Sequence, residues 1–167
     1  MNNLLNVFPE INSDIDEIIN IHNLAFNNKA EGKIVNHLRK NKKLTLSLIC
    51  KNEKLTLGHI AFSPIYNKQN QNIGVGLGPI GVLPKYQKMN VGSTLINNGI
   101  KRLKISNINP LFVLGDPKYY TKFGFTLARQ FNYFCKYDID GNHFMCLGIK
   151  EKLPKKELIN YCPEFDI

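Results

Sequence analysis

The spacing of apolar and polar positions changes several times along this chain. From Ser13 to Phe26, "SDIDEIINIHNLAF" places Ile15, Ile18, Ile19, His22, Ala25 and Phe26 on one helical face. Ser13 stands as its N-cap with Asp16 three residues on, the arrangement of a capping box. "AEGKIVNHLRKN" repeats the helical period with Ile34, Val35 and Leu38. The period then drops to two. "KLTLSLICKNEKLTLGHIAFSPIY" alternates on both sides of "KNE", as a hairpin does, and a third strand from about Ile73 to Leu83 follows the polar turn "NKQNQN".

Helical spacing returns in "VGSTLINNGIKRLKIS", where Val91, Leu95, Gly99 and Leu103 fall in register. "LFVLG" is short and wholly apolar, which predicts a central strand. "DPKYYTKFGF" reads as a short helix ending at Gly124. Strands near Phe131 to Tyr137 and His143 to Lys150 then precede an irregular tail. The order predicts a mixed α/β fold, an α+β sheet in one domain over residues 1–167. The long antiparallel meander excludes a regular doubly wound sheet.

At 167 residues and 43% hydrophobic content, the chain has the length and composition of one globular domain. No apolar run approaches the roughly 18 residues that span a bilayer. "MNNLLNVFPE" has neither the basic leader nor the long apolar segment of a secretory signal, so a cytoplasmic protein is expected. Cys50, Cys135, Cys146 and Cys162 are scattered without a C-x-x-C pair, which predicts reduced thiols and no metal site. The net charge of +9 attracts anionic ligands. Its lysines form no single stripe, and "KNKK" and "KEKLPKK" read as solvated turns, which argues against nucleic acid as the partner.

One stretch, "GLGPIGVLPKYQKMNVG", offers two candidate phosphate sites. Its first half has the glycine spacing of a dinucleotide-binding turn, which requires a helix opening at the glycines. Here "VLP" follows, and Pro79 removes an amide that the turn should offer. The second half suits a phosphate better, because its loop leads directly into an amphipathic helix. Amides from Lys88 to Ser93 stand where a helix start leaves donors unpaired, the dipole is positive there, and Lys88 adds a full charge. Gly92 permits close approach.

"GVLPKYQKMNVGSTLI" resembles the coenzyme A-binding segment of the GCN5-related N-acetyltransferases, with Gln87 and Gly92 at the ends of that family's Gln/Arg-x-x-Gly-x-Gly/Ala pattern. Asn90 takes the place of the usual glycine, and asparagine tolerates the left-handed backbone needed there. "FVLGDPKYYTKFGF" is similar to the YhbS-like subgroup, as are "AFNNKAEGKIVNHLR" and "YCPEFD", so the resemblance covers nearly the whole chain.

The resemblance implies a GNAT-type acyl-CoA N-acyltransferase fold, a central, mostly antiparallel sheet of about six to seven strands, splayed in the middle and flanked by about four helices. It implies acetyl-CoA as co-substrate and no metal. Ile80, Gly81 and Val82 would hold the pantetheine arm by main-chain pairing, as an added strand would be held. Gln87, Lys88, Met89, Asn90, Val91, Gly92 and Ser93 would hold the pyrophosphate. The Val82 amide is expected to bind the oxyanion, and Tyr120 to serve the leaving sulfur, whereas Tyr119 packs.

No Glu lies between Gln71 and Leu83, where many relatives carry a base. Asp116 and His59 are the candidates for that role, beside water. Asp116 also fits a cap for the helix opening at Pro117. The acceptor is expected to be the primary amine of a small molecule or peptide. The first two helices and late strands that would shape its site show no distinctive acidic or aromatic cluster; Glu31 and Arg39 are candidate acceptor contacts, although a solvated helix face accounts for them better. No membrane partner is expected, and monomer and homodimer stay open. The rival reading is a GNAT-fold module that binds an anion or nucleic acid without chemistry, and acylation of an oxygen acceptor would use the same residues.

Overall fold

The structure, a computed structural model, describes residues 4–167. Its strands are β1 (Asn6–Pro9), β2 (Leu46–Lys51), β3 (Thr56–Tyr66), β4 (Asn72–Val82), β5 (Leu111–Leu114), β6 (Thr126–Leu127), β7 (Tyr133–Cys135), β8 (Phe144–Leu147) and β9 (Glu157–Ile159). The α-helices are α1 (Ile15–Phe26), α2 (Ala30–Lys40), α3 (Val91–Ile105) and the single turn α4 (Pro117–Tyr120). Seven strands form one sheet in the order β1-β2-β3-β4-β5-β8-β6, and β7 and β9 form a parallel pair. All neighbours in the large sheet are antiparallel except β4 and β5.

Several predicted boundaries shift for physical reasons. Ser13 lies inside a 3-10 turn and does not cap α1. Asp14 holds the N-cap position of α1 without a side-chain cap bond, and its carboxylate instead accepts the Ile11 amide at 2.9 Å, closing the 3-10 turn. The buried stripe of α1 is Ile18, Ile21 and His22, so Ile21 belongs to it while Phe26 stays open. The strand predicted from Phe131 shortens to Tyr133–Cys135 because a 3-10 turn occupies Ala128–Phe131. The dinucleotide-like glycines lie within β4, and no helix opens at them.

Helices cover the sheet on both faces, which is why β3 is buried along most of its length in spite of its alternating polar residues. On one face α3 sets Val91, Leu95, Ile96, Ile100 and Leu103 against Leu48, Ile60, Phe62, Leu77 and Val113. Each such side chain removed from water contributes roughly 1.5–3 kcal/mol. On the other face Ile18 and Val35 from α1 and α2 pack on Ile49 and Ala61. The tail is tied on, since Tyr66 and Asn160 exchange backbone hydrogen bonds of 2.9 and 2.8 Å and Asn41 donates to Glu164 at 2.7 Å.

The break in the sheet positions the site. β4 and β5 pair only at Val75–Leu111, Gly76–Phe112 and Leu77–Val113. Beyond Leu77 the strands part. The register of β4 on β3 slips at the same level, between Ile60 and Phe62, and Gly78 there takes φ 141°, a conformation that side chains disfavour. Ile80, Gly81 and Val82 thus keep β3 as a partner, Gly78 and Pro79 fall in the irregularity, and none of the five pairs on the β5 side.

Candidate active site at the β4–β5 opening

The open edge of β4 points its main chain into a cleft. Leu83 donates its amide to Leu57 on the β3 side at 2.9 Å. Because alternate residues of an antiparallel strand face opposite edges, Ile80 and Val82 direct their N–H and C=O groups the other way. The Gln87 side chain confirms the direction for Val82, since its Nε2 donates to the Val82 carbonyl at 3.2 Å.

Beyond Pro84–Tyr86, the loop before α3 has a backbone form suited to an anion. Lys88 and Asn90 both take positive φ, 62° and 65°, on either side of Met89. Such alternation turns successive amides toward one point, as in backbone nests that hold anions. No side chain caps α3, whose first bond runs from the Thr94 amide to the Asn90 carbonyl at 2.9 Å. The amides of Val91, Gly92 and Ser93 therefore precede the helical ladder. A cavity of about 300 Å³ lies against this loop, lined by Ala25, Phe26, Ile80, Val82, Gln87, Lys88, Gly92 and Tyr119. A Cβ on Gly92 would stand 3.1 Å from the Tyr119 hydroxyl. Tyr119 is thus a wall of this cavity, beyond the packing expected of it.

A second cavity of about 320 Å³ continues through Phe26 and Ile80 into the splayed region, bounded by Gly78, Pro79, Leu114 and Tyr120. Tyr120 is 7% exposed, and a side chain at Gly115 would collide with its ring, so the glycine of "GDPKYY" makes room for the phenol. Burial, aided by Tyr119, pushes the Tyr120 phenol up to about 12. It stays protonated, and so a donor, throughout the neutral range.

The candidate bases do not reach this cleft in the same way. Asp116 caps α4, its carboxylate accepting the Lys118 amide at 2.9 Å. His59 is fully buried on the α1 face of the sheet. Its Nε2 lies 2.8 Å from Ser47 Oγ and its Nδ1 lies 2.8 Å from Nε2 of His22. Ser47 gives its proton to Glu10, so it accepts from His59, which in turn accepts from His22. Glu10 also receives both Arg39 bonds, at 2.7 and 2.8 Å. Arg39 is thus engaged by Glu10 and does not line the cavity that holds Tyr120. Burial lowers both imidazoles below the ordinary histidine value, His22 furthest, and holds them neutral. Burial alone would raise Glu10, but the bonds from Arg39, His59 and Ser47 win and hold its carboxyl far below the usual range.

Sequence reasoning missed the aromatic far wall of the second cavity. Glu31, a candidate acceptor contact for which the sequence favours a solvated face, lines it with Ile34, Phe26, Tyr137, Tyr161 and Phe165. These side chains come from both early helices and from the tail, so no local period announces them. The three-residue spacing of Glu31 and Ile34 was the one available sign of a shared face. The four cysteines are free and buried. Asp138, Asp140 and His143 gather on a surface turn, where Asp138 accepts the amides of His143 and Phe144 at 3.1 and 2.7 Å. Among the described residues no helix is long and apolar enough to cross a membrane.

The profile of the Acetyltransferase (GNAT) family matches residues 15–125. The Escherichia coli protein YhbS, described as an uncharacterized N-acetyltransferase, is 32% identical over 68% of this chain and 68% of its own. A GNAT family acetyltransferase from Brucella melitensis, solved in complex with acetyl-CoA, superposes with TM-score 0.81 at 33% identity, covering 99% of this chain and 100% of that one. Escherichia coli YhbS, solved in complex with CoA, superposes with TM-score 0.89 at 28% identity over 98% of this chain and 92% of its own. The chain belongs to the GNAT acetyltransferase family.

Proposed function

We propose that this GNAT family member transfers the acetyl group of acetyl-CoA to a primary amine by direct attack on the thioester. The observation that carries the reading is the pairing of β4 with β5 over only three residues, with the uncapped α3 start beside the gap. Coenzyme A in the related YhbS structure and acetyl-CoA in the Brucella structure support it.

The pyrophosphate lies on the amides from Lys88 to Ser93, where the helix start supplies roughly half a positive charge and unpaired donors. Gln87 and Lys88 flank it. The pantetheine arm runs along Ile80, Gly81 and Val82 and uses the main-chain groups of Ile80 and Val82 as a further strand would. This brings the thioester to the junction of the two cavities at Phe26 and Ile80, with Tyr120 on the wall of the larger one.

The amine nitrogen forms a C–N bond to the carbonyl carbon, and the π electrons move to oxygen, where the Val82 amide stabilises the charge. Collapse re-forms the carbonyl and breaks the C–S bond. Tyr120 donates a hydrogen bond to the departing thiolate. The ammonium proton is lost and the thiolate gains one, so the products are the amide and free coenzyme A. Asp116 and His59 are engaged elsewhere and take no part in this scheme. The test is a screen of primary amines with acetyl-CoA, read by thiol release. Turnover that drops in Tyr120→Phe supports the scheme, and equal rates remove Tyr120 from it.

A further inference from the structure

Resting on the acetyltransferase reading, we propose that the acceptor is a primary amine carried on an apolar, arene-sized body, and that Glu31 is the carboxylate that receives its ammonium. The wall of the 320 Å³ cavity beyond the thioester position is aromatic and aliphatic, with Glu31 as its one carboxylate. Tyr161 stacks at a tilt between Tyr137 and Phe165, with ring centroids 6.2 and 5.0 Å away. Such a wall favours a flat apolar group, and its ring faces favour a cation as well. A volume near 320 Å³ suits a small molecule and excludes a folded protein chain from the cavity itself.

Polarity inside this wall is concentrated and unspent. Oε2 of Glu31 is buried and has no hydrogen-bond partner among the described residues. A buried carboxylate oxygen without a donor is costly, so a ligand that supplies N–H groups gains what the protein leaves unmade. The hydroxyl of Tyr161 is likewise buried and unpartnered.

The charge around the entrance has the same sign. The protein carries +9 overall, which repels cations. Yet the neighbouring depression, which shares Leu114 and Tyr137 with the cavity, presents Asp116, Asp138 and Asp140. The lysine of the cofactor loop, Lys88, stands at the other end of the cleft. Anion and cation therefore enter from opposite sides. Glu31, on the wall of that cavity, receives the ammonium with its unpartnered Oε2.

The test compares acetyl transfer to 2-phenylethylamine and to ethanolamine, with product mass confirmed, for wild type and Glu31→Gln. Coenzyme A binding is measured separately by calorimetry. The expected kcat/KM for 2-phenylethylamine exceeds that for ethanolamine by about tenfold or more, because a pocket contact with one extra methylene alone discriminates by that order. Glu31→Gln lowers that value by about tenfold or more through loss of the charge-assisted bond, while coenzyme A affinity stays within about twofold. Glu31→Asp, which retains the charge, recovers part of the loss and guards against a folding defect. Equal use of the two amines, or transfer to neither by a protein that binds coenzyme A, overturns the acceptor class and leaves the cofactor site standing. A Glu31→Gln enzyme as active as wild type overturns the role of Glu31. Absence of coenzyme A binding in wild type removes the acetyltransferase reading itself.

Discussion

The Cβ that Gly81 lacks would stand 2.9 Å from Nδ1 of His22. Gly81 pairs with His59 across β3 and β4, and His22 reaches over the glycine to hydrogen-bond that same histidine. The α1 face of β4 is therefore filled by an imidazole exactly where a larger strand residue would have projected, which leaves the main chain of Ile80 to Val82 fixed from behind.

Gly81→Ala forces His22 off its partner or β4 toward the cleft. The expected cost is about 1–3 kcal/mol, the range of overpacking in a close-packed interior. Urea denaturation measures it. An unchanged midpoint contradicts the contact.

Acid should unfold the protein through the same pair. Burial lowers His22 and His59 in the folded state, so the unfolded chain binds more protons as pH falls below the ordinary histidine value of about 6.5. Their contribution to stability is present above that value and is lost as pH falls toward their folded pKa values. Glu10 is lowered much further, so its contribution persists through this window. Tm followed by calorimetry is expected to be flat from pH 8 to 7 and to fall from pH 6.5 to 5. A flat profile contradicts neutral, buried imidazoles.

Tyr120→Phe removes the donor proposed for the leaving sulfur while keeping the ring over Gly115. The expected loss in kcat is about 10–100-fold, with KM for acetyl-CoA little changed. Because the phenol is raised to about 12, wild-type activity should show no alkaline fall from Tyr120 below about pH 10. A pH–rate profile that breaks near 9 only in the wild type contradicts the assignment.

The thiols of Cys50, Cys146 and Cys162 are raised to about 11 by burial. A thiol reagent at pH 8 should therefore label these cysteines slowly in the native protein and rapidly in urea. Fast native labelling of any of them contradicts the packing.

The backbone of the loop proposed to hold the cofactor was legible because it is local. The change from period two to period 3.6 between Leu83 and Val91 marks the strand-to-helix loop, and Asn90 takes the left-handed backbone its residue type allows. The strands β1 and β9 were missed because a few residues such as "ELI" carry no period, and their pairing is with distant parts of the chain. His59 illustrates the opposite difficulty. By sequence this strand histidine is a candidate base, and only the packing of α1 over β3 makes it a buried link between Ser47 and His22. The aromatic wall joins residues as far apart as Phe26 and Phe165, which tertiary structure alone brings together.

Titration of coenzyme A into the wild type and into Gly92→Asp, followed by calorimetry, tests the central claim most directly. The wild type is expected to bind saturably with a dissociation constant below about 1 mM, and the variant at least about tenfold more weakly, because a carboxylate would face the diphosphate at the α3 start. No heat from the wild type at millimolar coenzyme A, or equal affinity in the two proteins, would contradict it.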